Sequence, residues 1–221
     1  MKNYTQSFFQ KVYAWMFVGL AISGLMAYYT AFNPTLNRYI LENPWIVMTF
    51  IILELVLVLI LSFMLKKMSP FVAGLSFFLF ATLNGFTLSV IFLIYTISSI
   101  EIAFFATAGL FAIMSLLGMF TNIDLSKIGT ILLIGLFGII IASLINLFFN
   151  NPTVYYIISI ISIIIFTGLT AYDTQKLKQI AQSGINDESL IKKLSIMGAL
   201  SLYLDFINLF LSILRIFGKR R

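Results

Sequence analysis

Three carboxylates carry most of the chemistry this sequence has to offer. Glu54 and Asp205 lie deep inside long apolar runs, and Asp173 lies at the inner edge of another. An intramembrane charge costs on the order of 2.5–3.5 kcal/mol even on the lenient insertion scale, so a carboxylate kept there is a functional candidate by default. The plain alternatives are a structural hydrogen bond to a neighbouring helix for Glu54 and Asp205, and a helix-end carboxylate near Lys176 and Lys178 for Asp173. Two carboxylates brought together in a poorly hydrated place tend to share a proton, because like charge and low hydration both oppose the doubly ionised pair. The shared proton ties two helices together. When both groups ionise they repel, and their hard oxygens become ligands of the kind Ca²⁺ takes. His and Cys are both absent, which removes imidazole and thiolate metal sites, Ser-His catalysis, disulfides and the usual pH sensor. No enzyme chemistry and no cofactor are expected on the reading of these carboxylates as a proton-sensitive latch.

Composition dictates the elements that must position these groups. Of 221 residues, 61% are hydrophobic and 10% charged, against roughly 45–50% and 25% in an ordinary soluble domain, so a water-soluble globular fold is excluded. A bilayer core about 30 Å thick needs about 20 apolar residues per helix. Seven such runs are present, at approximately 12–31, 45–65, 71–95, 102–120, 129–149, 153–172 and 194–217. Asn33-Pro34, Asn43-Pro44, Ser69-Pro70 and Asn150-Asn151-Pro152 separate them, as breakers should, since hydrocarbon offers no water to a freed backbone group. The alternating decamers of a membrane barrel are missing. The expectation is an all-α membrane protein, a seven-transmembrane-helix bundle forming one integral membrane domain over residues 1–221. The first run lacks a cleavage pattern and is expected to be a permanent span.

The net charge of +6 suits lipid headgroups rather than nucleic acid. With the amino terminus on the cytoplasmic side, the inner segments hold nine basic residues and the outer loops only Arg38, which is the bias the positive-inside rule asks for. The expected location is a bacterial inner or plasma membrane, multi-pass, with a cytoplasmic amino terminus. Arg215, Lys219, Arg220 and Arg221 run against that bias, because a spanning seventh helix, the favoured reading, puts them outside, whereas a re-entrant last segment would return them to the inner set. Residues 174–193 are the one internal stretch of soluble character. They are expected to continue the sixth helix briefly, turn at Ser183-Gly184 and restart near Asp187 or Ser189.

On the seventh span, Asp205 shares a helical face with Ser195, Gly198 and Ser201 in one direction and with Asn208, Ser212 and Arg215 in the other. Such a stripe either packs closely or lines a hydrated path, and the carboxylate favours a path lined by Gly198, Ser201, Asn208 and Ser212. Gly19, Ser23 and Ala27 on the first span read as a packing ridge. Asn84 and Thr87 on the third read as ordinary interhelical hydrogen bonders. Asp205 is about eleven residues into its span, or about 16 Å, whereas Asp173 sits at the inner end of its own. They meet only if the sixth helix is buried deeper, the seventh starts lower, or a cytoplasmic cavity enters the bundle.

Two stretches carry a family likeness. Residues 168–176, GLTAYDTQK, and 197–210, MGALSLYLDFINLF, resemble the corresponding segments of the Bax inhibitor-1 family in its bacterial branch. Residues 83–89, LNGFTLS, match more weakly. The resemblance implies a bundle whose C-terminal helix is central, and a pH-dependent calcium leak gated by Asp173 and Asp205, which would also be transient Ca²⁺ ligands. It implies a secondary acidic site at Glu54. Relatives carry an arginine at the end of the second span; this chain has Lys66 and Lys67 there as the basic partner, with charge but without the bidentate fork. Calcium ions and the bilayer are thus the expected partners. The rival readings are a membrane regulator of a protease or of a cell-death or stress pathway acting by protein interaction, and a proton-coupled transporter. The second lacks the inverted repeats usual for such proteins.

Overall fold

A computed structural model describes residues 2–185 and 187–221, with no account of the side chains of Lys2, Asn3, Tyr4, Pro44 and Lys66. Asn186, expected in the polar turn, lies outside the described residues. Every element among the described residues is helical: α1 (Lys2–Phe32), α2 (Pro34–Glu42), α3 (Pro44–Met64), a 3₁₀ turn (Leu65–Lys67), α4 (Pro70–Ile94), α5 (Ile97–Phe120), α6 (Ser126–Phe149), α7 (Pro152–Gln182) and α8 (Glu188–Phe217). All but α2 and the 3₁₀ turn are long and apolar enough to cross a membrane, giving the seven spans expected.

Each proline among the breakers opens a helix rather than merely ending one. Pro34, Pro44, Pro70 and Pro152 are all first residues, where the missing N–H is unneeded and φ is already helical. Asn33 accepts from Thr35 N and Leu36 N, Ser69 from Val72 N, and Asn151 from Thr153 N and Val154 N. This chemistry produces α2, which a search for 20-residue apolar runs reads as loop.

The helices also outrun the apolar runs. The helix of the sixth span continues beyond its apolar run to Gln182, and the last begins at Glu188, ahead of its own, as the polar stretch 174–193 implied, because a helix leaving the bilayer needs backbone hydrogen bonds, not apolarity. Asp173 thereby lies inside α7 instead of at its end. The turn between them uses Gly184 at φ +71°, a left-handed conformation that suits glycine. Asp187 then caps α8 by accepting from Ser189 N and Leu190 N, as expected. At the other soluble turn, Asp124 accepts from both Ser126 N and Ser126 Oγ, which holds its carboxyl below the usual carboxylate range.

The chain divides into two compact units, one of residues up to Tyr95 with Ala181–Tyr203 and Arg221, the other of Thr96–Ile180 with Leu204–Arg220. In the first, α1 and α4 approach through small residues. A Cβ on Gly85 would meet Met26 Cβ at 2.5 Å and Ser23 O at 2.7 Å, and one on Gly19 would meet the Phe77 ring. Tyr203 packs edge-on to Phe77 and Phe80 at the centre of this unit. In the second, Phe206 stands edge-on to Phe104 and Phe111, and α5 meets α7 at Gly118 and Ala171. Rings such as Phe105, Phe120 and Phe148 point outward, as they do where the solvent is lipid. Of the seven spans α8 is the most enclosed, with 72% of its apolar window buried against 44% for α7 and 6% for α6.

Candidate functional site: two buried carboxylate centres

The second unit holds Asp173 of α7 and Asp205 of α8 within the range over which their charges act on each other. Asp205 is buried, 4% exposed, and its Oδ2 has no hydrogen-bond partner among the described residues. Buried polar atoms are almost always hydrogen-bonded, so an orphaned carboxylate oxygen needs a reason. Asp173 is half-buried, and the cation that acts on it is Lys176, one turn along the same helix. The surrounding polar side chains are occupied elsewhere. Ser115 and Thr174 share a 3.0 Å hydrogen bond between α5 and α7. Lys178 Nζ donates to Thr121 O at 3.4 Å. No cluster of three or more acidic residues that would hold a metal permanently exists among the described residues. Two carboxylates alone make a weak hard-oxygen site, since Ca²⁺ takes six to eight oxygens.

Three side chains of the polar stripe flanking Asp205 bond within their own helix. Asn208 Nδ2 donates to Leu204 O, Ser212 Oγ to Asn208 O and Ser195 Oγ to Ile191 O. Gly198 and Ser212 are buried, and Ser201 and Asn208 half-buried. As for the basic partner, Lys67 is exposed in the 3₁₀ turn, and the Lys66 side chain lies outside the described residues.

The first unit builds a separate centre around Glu54. Its Oε2 accepts from Asn84 Nδ2 and its Oε1 from Thr87 Oγ1, both at 2.9 Å. Asn84 Oδ1 in turn accepts from Tyr203 Oη at 2.7 Å. Tyr203 Oη lies 2.6 Å from Ser23 Oγ, which also reaches Ala81 O at 2.7 Å. One hydrogen-bonded chain therefore joins α3, α4, α8 and α1. Asn84 and Thr87 are the interhelical hydrogen bonders the sequence implied, and their partner is the nearest intramembrane acid. Ser23 both packs and bonds. Tyr203 drew no attention in the sequence, because an aromatic within an apolar span looks like packing. The available signal was its hydroxyl, which a buried tyrosine must satisfy.

Gln175 is a second residue that sequence reasoning passed over. Its Oε1 accepts from Leu125 N at 2.8 Å and its Nε2 donates to Ile123 O at 2.7 Å, clamping the α5–α6 turn to α7 two residues beyond Asp173. Gln175→Ala leaves both backbone groups without that partner. Hydrogen exchange of the amides of residues 121–126 is expected to quicken by about tenfold, the effect of losing one net hydrogen bond of about 1 kcal/mol or a little more. Unchanged protection would show that the clamp is idle.

The family described as "Inhibitor of apoptosis-promoting Bax1" matches residues 5–221. The chain belongs to the Bax inhibitor-1 family. It is 45% identical to the inner membrane protein YbhL of Escherichia coli K12 over 217 residues, covering 98% of this chain and 93% of the relative. An uncharacterised protein of Borreliella burgdorferi is 44% identical, covering 97% and 92%. An uncharacterised membrane protein of Streptococcus pyogenes serotype M3 is 39% identical, covering 98% and 96%. Together with seven apolar helices, these names make the chain a multi-pass membrane protein of the Bax inhibitor-1 family.

Proposed function

We propose that this Bax inhibitor-1 family protein is a pH-sensitive passive Ca²⁺ leak channel, gated by Asp173 and Asp205, with Glu54 as a second acidic site. The observation that carries the reading is Asp205, a buried carboxylate with one oxygen unpartnered and a second carboxylate acting on it from α7. Such a pair responds to protons without histidine and offers oxygen ligands to a hard cation only transiently. The reading needs no stored metal and no cofactor.

The test is Ca²⁺ flux into liposomes containing purified protein and an internal indicator, measured across the physiological pH range. Wild-type protein is expected to pass Ca²⁺ down its gradient at a rate that changes with pH. Asp205→Asn, close in shape but unable to ionise, is expected to flatten that dependence, and Asp173→Asn to do the same. Flux equal to that of empty liposomes sinks the channel reading and leaves the interaction-protein alternative. Flux that requires an opposing proton gradient favours a coupled transporter.

A further inference from the structure

Arg215 and Arg220 open onto one cavity of about 410 Å³, walled by Asn150, Asn151, Tyr155 and Tyr156 among others and by no acidic residue. The cavity lies wholly within the second unit, where α6 ends, α7 begins and α8 ends. Its wall is braced. The Asn146 amide donates to Asn151 O and accepts from Asn151 N, and Asn150 closes α6 in the left-handed conformation. The Arg215 guanidinium stacks 5.1 Å from the centre of the Tyr155 ring, which fixes its direction. Arg220 follows a tail held by Lys219, whose N–H donates to Ser99 Oγ and whose carbonyl accepts from Thr96 N. Among the described residues neither cavity arginine is ion-paired with a carboxylate.

Two guanidinium groups beside one concave, uncharged wall are suited to a single ligand chemistry. Arginine's planar fork matches phosphate oxygens in pairs, and the N-terminal end of α7 adds partial positive charge at the same mouth. Three span ends meet there, which sets the cavity at the bilayer surface, and paired tyrosines are typical of that level. By the alternation of seven spans, the other basic residues of that face are Arg38 in the first loop and Lys219 and Arg221 in the same tail. Basic residues kept against the charge bias of the remaining loops call for a local reason, and a bound anion supplies one.

We propose that this cavity binds a phosphate group at the membrane surface, held by Arg215 and Arg220. The group comes either from the headgroup of an anionic phospholipid or from free phosphate in the adjoining water, and the experiment separates the two. Full-length protein in detergent is titrated with mixed micelles of phosphatidylglycerol, with phosphatidylcholine, and with inorganic phosphate at ionic strength matched by chloride. Binding is followed by native mass spectrometry and by the thermal midpoint. Wild-type protein is expected to bind phosphatidylglycerol or inorganic phosphate at least tenfold more tightly than Arg220→Gln or Arg215→Gln does. Lys127→Gln, an exposed basic residue elsewhere, serves as the charge control and is expected to behave as wild type. A response to phosphatidylglycerol alone identifies the lipid source, and a response to inorganic phosphate that competes with the lipid identifies the soluble one. Arg220 is exposed, whereas Arg215 is half-buried, so Arg220→Gln remains a folded test even if Arg215→Gln is not. Equal binding by wild type and Arg220→Gln, or equal binding of phosphatidylglycerol and phosphatidylcholine with no response to phosphate, overturns the proposal.

Discussion

Gly118→Ala is expected to destabilise the protein by about 1–3 kcal/mol, while Gly109→Ala on the same helix is neutral or stabilising. A Cβ on Gly118 would run into Ala171 O and stand 2.9 Å from its carbonyl carbon and 3.0 Å from its Cα. Those neighbours are backbone, so α7 must move as a body. Overpacking of that kind costs about 1–3 kcal/mol, and the gain of up to about 1 kcal/mol from replacing a helical glycine does not offset it. A Cβ on Gly109 meets nothing within 4 Å, so there the propensity gain stands alone. The two variants share a helix and a chemical change and differ only in contact. Thermal unfolding in detergent measures the difference. Equal midpoints would mean that α5 and α7 are not in backbone contact. Because Ala171 lies two residues before Asp173, Gly118→Ala is also expected to disturb the carboxylate pair, and with it the Ca²⁺ flux proposed above, more than Gly109→Ala does.

The second large effect is expected at Asn84. Asn84→Leu removes the donor to Glu54 Oε2 and the acceptor for Tyr203 Oη in one step. Leaving a buried polar group unsatisfied costs about 1–3 kcal/mol, more when it is charged, so a loss of about 2–5 kcal/mol is expected. Glu54→Leu alone strands the Asn84 amide on one side only and should cost less. The double variant is expected to be less destabilised than the sum of the singles, with a coupling of about 0.5–3 kcal/mol, since with both partners apolar much of the unsatisfied polarity is gone. Unfolding midpoints of the four proteins make the cycle. Additive losses would show that the Glu54–Asn84 hydrogen bond contributes nothing.

The spans were legible because hydropathy over 20 residues is a solvent preference, and lipid imposes it position by position. Their ends were less legible. Residues 173–182 are helical but carry Lys176, Lys178 and Gln182, so the apolar pattern stops where the helix does not. The short helix α2 has no span-length run to reveal it, though Asn33 before Pro34 was a capping signature in plain view. Each buried acid could be picked out singly, since a charge in an apolar run is conspicuous. Partners are harder, because the residue that meets Glu54 is 30 positions away in sequence and a helical face does not say which neighbour it meets. Hydroxyls suffer most. Tyr203 and Ser23 each have an apolar or small-residue role that hides the polar one. Arg215 and Arg220 read as span-end charges until α6, α7 and α8 place a common cavity around them.

The helix α6 illustrates a different kind of information. Its buried residues are Gly129, against the Tyr172 ring, and Asn146, which braces the turn before α7. Almost everything else along it faces outward as Ile, Leu or Phe. Selection at those positions sees hydrophobicity but not identity, so the order of apolar residues in α6 is free to drift between descendants without consequence for the fold. In α8, where most side chains touch protein, the same exchanges are visible to selection. Divergence in this lineage is thus expected to accumulate on the outward face of α6 and to be resisted in α8, with Gly129 and Asn146, and the half-buried Leu132 and Gly135 that meet Gly168 and Ile165, as points where α6 keeps a memory of its neighbours.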